Sequence, residues 1–167
     1  MQTFLPMVTG FGINRGGFPG CALVLDNKRL GKQRVECVQI LNTLEGRSKG
    51  WRHHPAVLMW AGHEVCLRVY LNCIIDEWVN RGFKNSIPLY LLGPEVDRQL
   101  ESGEYFPEWF KDDSVISRVA SSHRSNLLRK DPEWYGQFGW KEPDNLPYVW
   151  PVTKADIQIK RVMEFCA

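Results

Sequence analysis

The 167 residues contain little that marks a specialised chain. The five cysteines (Cys21, Cys37, Cys66, Cys73, Cys166) are odd in number and show no CxxC spacing, so neither a disulfide framework nor a zinc site is expected, and buried free thiols are. The four histidines are scattered and do not group as metal ligands. No stretch reaches transmembrane length without charges. The apolar start MQTFLPMVTGFG lacks a basic n-region and is interrupted by proline and glycine, so it does not read as a signal peptide. A reducing cytoplasm, or a host-cell interior for a viral chain, is the expected location. Repeats and low-complexity tracts are absent, and the net charge of +2 is too small to announce a polyanion binder.

What is present is a globular composition, 44% hydrophobic and 24% charged, enough for a core without staples. The charge is unevenly spread. Between Pro94 and Asp113 seven acids face only Arg98 and Lys111, a net −5 that leaves +7 on the remainder. GFGINRGGFPG at 10–20 has loop composition and follows a short N-terminal strand or arm. A helix is expected from an Asp26 cap to about Thr43, with Leu30, Cys37, Val38 and Leu41 on one face. A long core helix is expected from Pro55 to a stop at Gly82, with a stripe of Leu67, Leu71, Ile74, Ile75 and Trp78. A third, capped by Ser114, runs to Asp131-Pro132 with Ile116, Ala120, His123 and Leu127 in line. Pro143, Pro147 and Pro151 impose an irregular passage before a short last helix capped at Thr153 with Asp156. The expected fold is therefore an all-α, compact single domain over residues 1–167, with three main helices, a short C-terminal helix and long loops.

Two constellations bear on chemistry. The polar face of the first helix gathers Lys28, Arg29, Lys32, Gln33 and Gln39 around one carboxylate, Glu36. It reads either as a solvated face with helix ion pairs or as a phosphate-gripping face carrying an acid that meets developing positive charge. Arg34 falls on the apolar side and needs a specific partner there. In HRSNLLRKDPEWYGQFGW, residues 123–140, the cations Arg124, Arg129 and Lys130 precede Trp134, Tyr135, Phe138 and Trp140. Such rings can fold back onto a core or stack on bases beside cations that grip phosphates, and both readings can hold in part. His54, in WRHHP, is assigned to phosphate or sugar contact.

The blocks KRLGKQRVE, GWRHHPAV, the RGF at Arg81 to Phe83 and SHRSNLLRKDPEWYGQFGW resemble the pyrimidine-dimer DNA glycosylases of the phage endonuclease V type, and more closely bacterial and viral proteins grouped with them. The resemblance implies an all-α domain that binds kinked double-stranded DNA carrying a damaged or modified base. It needs no cofactor, and no obligate protein partner or membrane is indicated. The implied activity is glycosylase with abasic-site lyase: an N-terminal α-amine attacks the sugar C1′, the base leaves, and an imine collapses by β-elimination. An α-amine of pKa about 7.8 is roughly a quarter unprotonated near neutrality, and lysine only about a thousandth. Gln2 is too large for usual removal of the initiator, so Met1 would present the amine. Glu36, by its position on the polar face, would be the stabilising acid, assisted by Arg29. Asp26 is the competing acid, with helix capping as its other role. Lys28, Lys32, Arg34, His54, Arg124, Arg129 and Lys130 would contact the DNA, with Trp134 and Tyr135 at or near the strand. The alternatives are a non-catalytic nucleic-acid-binding module of this fold, or a related enzyme acting on a modified base or nucleotide.

Overall fold

In the computed structural model, which describes residues 1–8, 17–91, 93, 94, 98 and 106–152, the Asp26 carboxylate accepts the Arg29 backbone N–H at 3.1 Å and starts a helix. This helix, α2 (Asn27–Leu44), follows α1 (Gly17–Val24) and ends one residue beyond the expected Thr43. Its buried Leu30, Cys37, Ile40 and Leu41 pack on α4 (Glu64–Asn80), whose Cys66, Leu67, Tyr70, Leu71, Ile74 and Ile75 are buried in turn. Gly31 permits this approach, because a Cβ there would lie 2.8 Å from the Trp78 ring. Among the described residues there are helices and no strands, so the fold is all-α, and the buried apolar side chains form one contiguous cluster.

The expected long helix is divided. Pro55 opens a single turn, α3 (Pro55–Leu58), and the chain then bends through Gly62 at φ 82° before α4 begins. The left-handed glycine stops helix propagation, and the bend seats Trp60 fully inside the core. Gly82, at φ 84°, ends α4 as anticipated. Arg81 beside it donates to the backbone carbonyls of Leu25 at 2.7 Å and Leu23 at 3.0 Å, satisfying acceptors at the end of α1 that have no partner within the helix.

Residues 17–20, expected as loop, are the first turn of α1. This turn packs on the N-terminal arm, where a Cβ on Gly20 would lie in ordinary contact, 3.4 Å from that of Met7. Helix α5 (Asp113–Lys130) is capped by Asp112, whose carboxylate accepts from the Ser114 and Val115 N–H groups, so the cap lies two residues before the expected Ser114. Its Ile116, Ala120, His123 and Leu127 are buried as patterned. A one-turn helix, α6 (Pro132–Gly136), follows at once.

The proline-rich passage runs irregularly along α5. Ser122 Oγ accepts from Val149 N–H at 3.1 Å, Ser125 Oγ accepts from Leu146 N–H at 2.9 Å, and Asn126 Nδ2 donates to Leu146 O at 3.0 Å. The polar side chains of α5 are thus buried and satisfied by this strap, which carries Tyr148 and Trp150 back toward the arm. The short last helix expected from Thr153, and residues 95–97 and 99–105 of the acidic segment, lie outside the described residues. No helix among the described residues is long and apolar enough to cross a membrane.

Candidate active site

Residues 2–6 have no regular structure, and their backbone is held by side chains from three helices and the turn after α3. Gln33 on α2 accepts the Phe4 N–H at 2.9 Å and donates to Gln2 O at 2.7 Å. Tyr70 on α4 donates to Phe4 O at 2.7 Å, and Trp60 Nε1 donates to the Thr3 hydroxyl at 3.0 Å. From α5, His123 Nδ1 accepts Leu5 N–H at 2.9 Å and Arg124 donates to Pro6 O at 2.7 Å. These clamps fix the register of the arm, and with it the position of Met1.

The consequence is a charge pair: the Met1 α-amine lies 3.6 Å from Glu36 Oε1. That is an ion-pair separation, longer than a hydrogen bond, so the amine is close to the acid without being locked to it. Gln33 Nε2 also donates to Glu36 Oε2 at 3.0 Å, so one amide orients both the arm and the carboxylate. Lys32 Nζ stands 3.6 Å from Glu36 Oε1 and is 70% exposed. Glu36 and Gln33, on the face that read as either solvated or phosphate-gripping, are buried, with the arm bonded to Gln33 and the Met1 amine facing Glu36. The Met1 side chain is only 5% exposed whereas the residue as a whole is half-buried, so its accessible part is main chain.

Electrostatics groups further side chains around this pair. The Lys130 ammonium is shifted down by partial burial and by Arg129, Arg29 and Lys32, with Glu36 opposing. His54 is shifted down by burial and by the Met1 amine. The Tyr148 hydroxyl is shifted up, mainly by burial, with the charges of Arg129, Glu36 and Arg29 acting on it as well. Lys32 and Lys130 are exposed cations whose charges meet that of Glu36, and exposed Arg129, which donates to Asn126 Oδ1, adjoins Lys130, a setting suited to phosphate oxygens.

The remaining expected site residues are placed differently. Arg29 pairs with Asp26 at 3.0 Å and Asp131 at 3.3 Å and donates to Lys130 O, fastening α2 to the α5–α6 junction. Asp26 is the cap, bonded also by the Tyr135 hydroxyl, and its carboxyl, although partly buried, is held below its usual range by Tyr135 and Arg29. Arg34 finds the partners its apolar position demanded, donating to Asn85 at 2.7 Å and lying 4.0 Å over the Trp78 ring, away from the amine. Arg124 is engaged by Glu142 and Pro6 O. Lys28 is exposed on the first turn of α2. Trp134 is exposed at its rim, with its N–H on Val24 O at 2.9 Å. Tyr135 is fully buried and stacks with Trp140, so this ring closes the core and offers no surface to a strand.

Sequence reasoning set Gln33 beside Glu36 but missed the clamp residues Trp60, Tyr70 and His123, and the rings Trp51, Tyr148 and Trp150. Only His123, in the buried line of α5, carried a usable signal.

His123 makes the clamp sensitive to acid. Because its Nδ1 accepts from Leu5, the proton of the neutral ring is on Nε2, which is satisfied when the Gln2 amide turns its oxygen toward it. Burial, aided by Arg124, pushes the His123 pKa down to about 3. The unfolded chain binds this proton below about pH 6.5 and the folded chain does not, so stability is fully present above that value and is lost as pH falls. Urea unfolding should show a loss of about 1.4 kcal/mol per pH unit from this group between about pH 6.5 and 3. His123→Asn should remove that slope; an unchanged slope would assign the loss to other groups.

An amine 3.6 Å from a buried carboxylate in an all-helical chain is an arrangement in which a nitrogen nucleophile and a fixed anion can act on the same bound group. A family model described as pyrimidine dimer DNA glycosylase matches residues 1–91, and the chain belongs to that family. The matched part holds the arm, Glu36 and helices α1 to α4. No curated protein and no solved structure matches the chain.

Proposed function

We propose that the protein is a DNA glycosylase and abasic-site lyase acting on double-stranded DNA that carries a pyrimidine dimer or a related damaged base, with residues 1–167 forming one such domain. The observation that carries this reading is the Met1 amine 3.6 Å from Glu36, together with exposed Lys32, Arg129 and Lys130.

In this reading the unprotonated Met1 nitrogen attacks C1′ of the damaged nucleotide. The new N–C1′ bond forms as the C1′–base bond breaks, and the bonding pair leaves with the base. The Glu36 carboxylate faces the positive charge that develops on the sugar, where a fixed anion is most effective. Ring opening gives an imine between Met1 and C1′, loss of a 2′ proton follows, and β-elimination expels the 3′ phosphate. Lys28, Lys32, Arg129 and Lys130 hold phosphates, and Trp134 lies along the strand. Opening the duplex costs less at a damaged step, which contributes to selectivity.

The test is borohydride reduction during incubation with duplexes containing an abasic site or a thymine dimer, with the adduct located by peptide mass spectrometry. Adduct on the residue 1 amine is expected on both substrates. Adduct on Lys28 or Lys32 would move the nucleophile elsewhere, and none on either substrate would overturn the catalytic reading.

A further inference from the structure

Trp51 is the most exposed tryptophan described, at 63%, and has φ 64°, a left-handed conformation that a bulky residue rarely adopts. It is the outer end of a row of rings. Trp51 meets His54 edge to face at 5.4 Å, His54 meets Trp150 at 5.6 Å, Trp150 meets Tyr148 at 5.7 Å, and Tyr148 reaches Phe4 of the arm at 6.5 Å. The row therefore ends against the segment that carries the amine, and the Met1 charge is felt at His54.

The His54 ring is held in one tautomer. Its Nδ1 accepts the Ala56 N–H at 3.1 Å as the cap of α3, so the neutral ring carries its proton on Nε2. Nε2 has no hydrogen-bond partner among the described residues. A polarised N–H donor thus stands next to an exposed indole, on a ring that the Met1 charge reaches.

Resting on the reading proposed above, we infer that Trp51 and His54 form the subsite for the pyrimidine base of the attacked nucleotide. The Trp51 indole packs against the puckered ring of the base, and His54 Nε2–H hydrogen-bonds its O2 as the glycosidic bond breaks. The group leaving C1′ has to lie near the amine, and this row is the aromatic surface that leads from the arm to His54, where the Met1 charge is felt. When the Met1 nitrogen bonds to C1′, the electron pair of the C1′–N1 bond stays on the base, spread over N1 and O2. The His54 N–H stabilises that charge without transferring its proton, and the base takes a proton from water.

Single-turnover borohydride trapping on two duplexes tests this, because a dimer must lose its glycosidic bond before it is trapped and an abasic site has no base to lose. Trp51→Ala should slow trapping on dimer DNA roughly 10- to 150-fold through loss of the apolar ring contact, with Trp51→Phe recovering most of the loss. His54→Asn, which preserves a capping side chain, should slow it about 100-fold, and all three variants should stay within about twofold of the parent on abasic DNA. Equal losses on both duplexes, or no loss on the dimer, would overturn the inference, and trapping on abasic DNA is itself the control for folding. Failure of the unmodified protein to trap abasic DNA is a separate outcome that removes the parent reading.

Discussion

Glu36→Gln is expected to reduce adduct formation on dimer-containing DNA by on the order of 10²- to 10⁴-fold while leaving the fold intact. The substitution keeps the shape of the side chain, and its amide oxygen can still accept from Gln33 Nε2, now 3.0 Å from Glu36 Oε2. What it removes is the negative charge 3.6 Å from the Met1 amine. A neutral amide opposes the developing sugar cation far less well than a carboxylate, and the loss is magnified because Glu36 is buried and poorly screened by water. Glu36→Asp retains the charge but draws it back by about 1.5 Å, the length of one carbon–carbon bond, and should give an intermediate rate. Trapping rates for the three proteins on one dimer duplex decide the matter. If Glu36→Gln remains within a few-fold of the parent, the acid lies elsewhere.

Placing one extra residue before Met1 should be almost as damaging, lowering trapping by on the order of 100-fold, since displacements of about 1 Å can already cost that much. The added residue moves the terminal amine by up to ~3.8 Å along the chain. The arm cannot compensate by slipping one position. A slip would break the bonds of Gln33 to Gln2 and Phe4, of Tyr70 to Phe4 and of His123 to Leu5 together, and would take buried Leu5 out of its place. The thermal unfolding midpoint should fall only slightly, because the clamps on residues 2–6 survive in the extended protein and Lys32 still faces Glu36 once the amine is displaced. Trapping on the new terminus at the parental rate would show that the distance between amine and acid does not matter.

The helices were legible where one signal dominated. Asp26 as a cap, the buried stripe of α4 and the line Ile116, Ala120, His123, Leu127 all follow from local chemistry and a period of 3.6 residues. Legibility failed where two signals competed. Gly62 lay inside an apolar run that read as uninterrupted helix, and Asp112 and Ser114 were both competent caps. It failed again for the arm, whose backbone groups are satisfied by side chains distant in sequence: Gln33, Tyr70 and His123 lie 29, 66 and 118 positions from their partners. The aromatic tail divided as its composition allowed, with Tyr135 in the core and Trp134 at the surface.

By itself the sequence determined that the protein is helical, which helix faces are apolar, and that Glu36 shares a face with Lys32 and Gln33, because helix periodicity is a local property. Only the tertiary structure decided that this face is covered by the N-terminal arm, that the amine meets Glu36 there, and that Arg34, Arg124 and Tyr135 turn to structural partners. Those outcomes depend on which surfaces meet when the helices pack, and a residue's own neighbours in the chain carry no record of that.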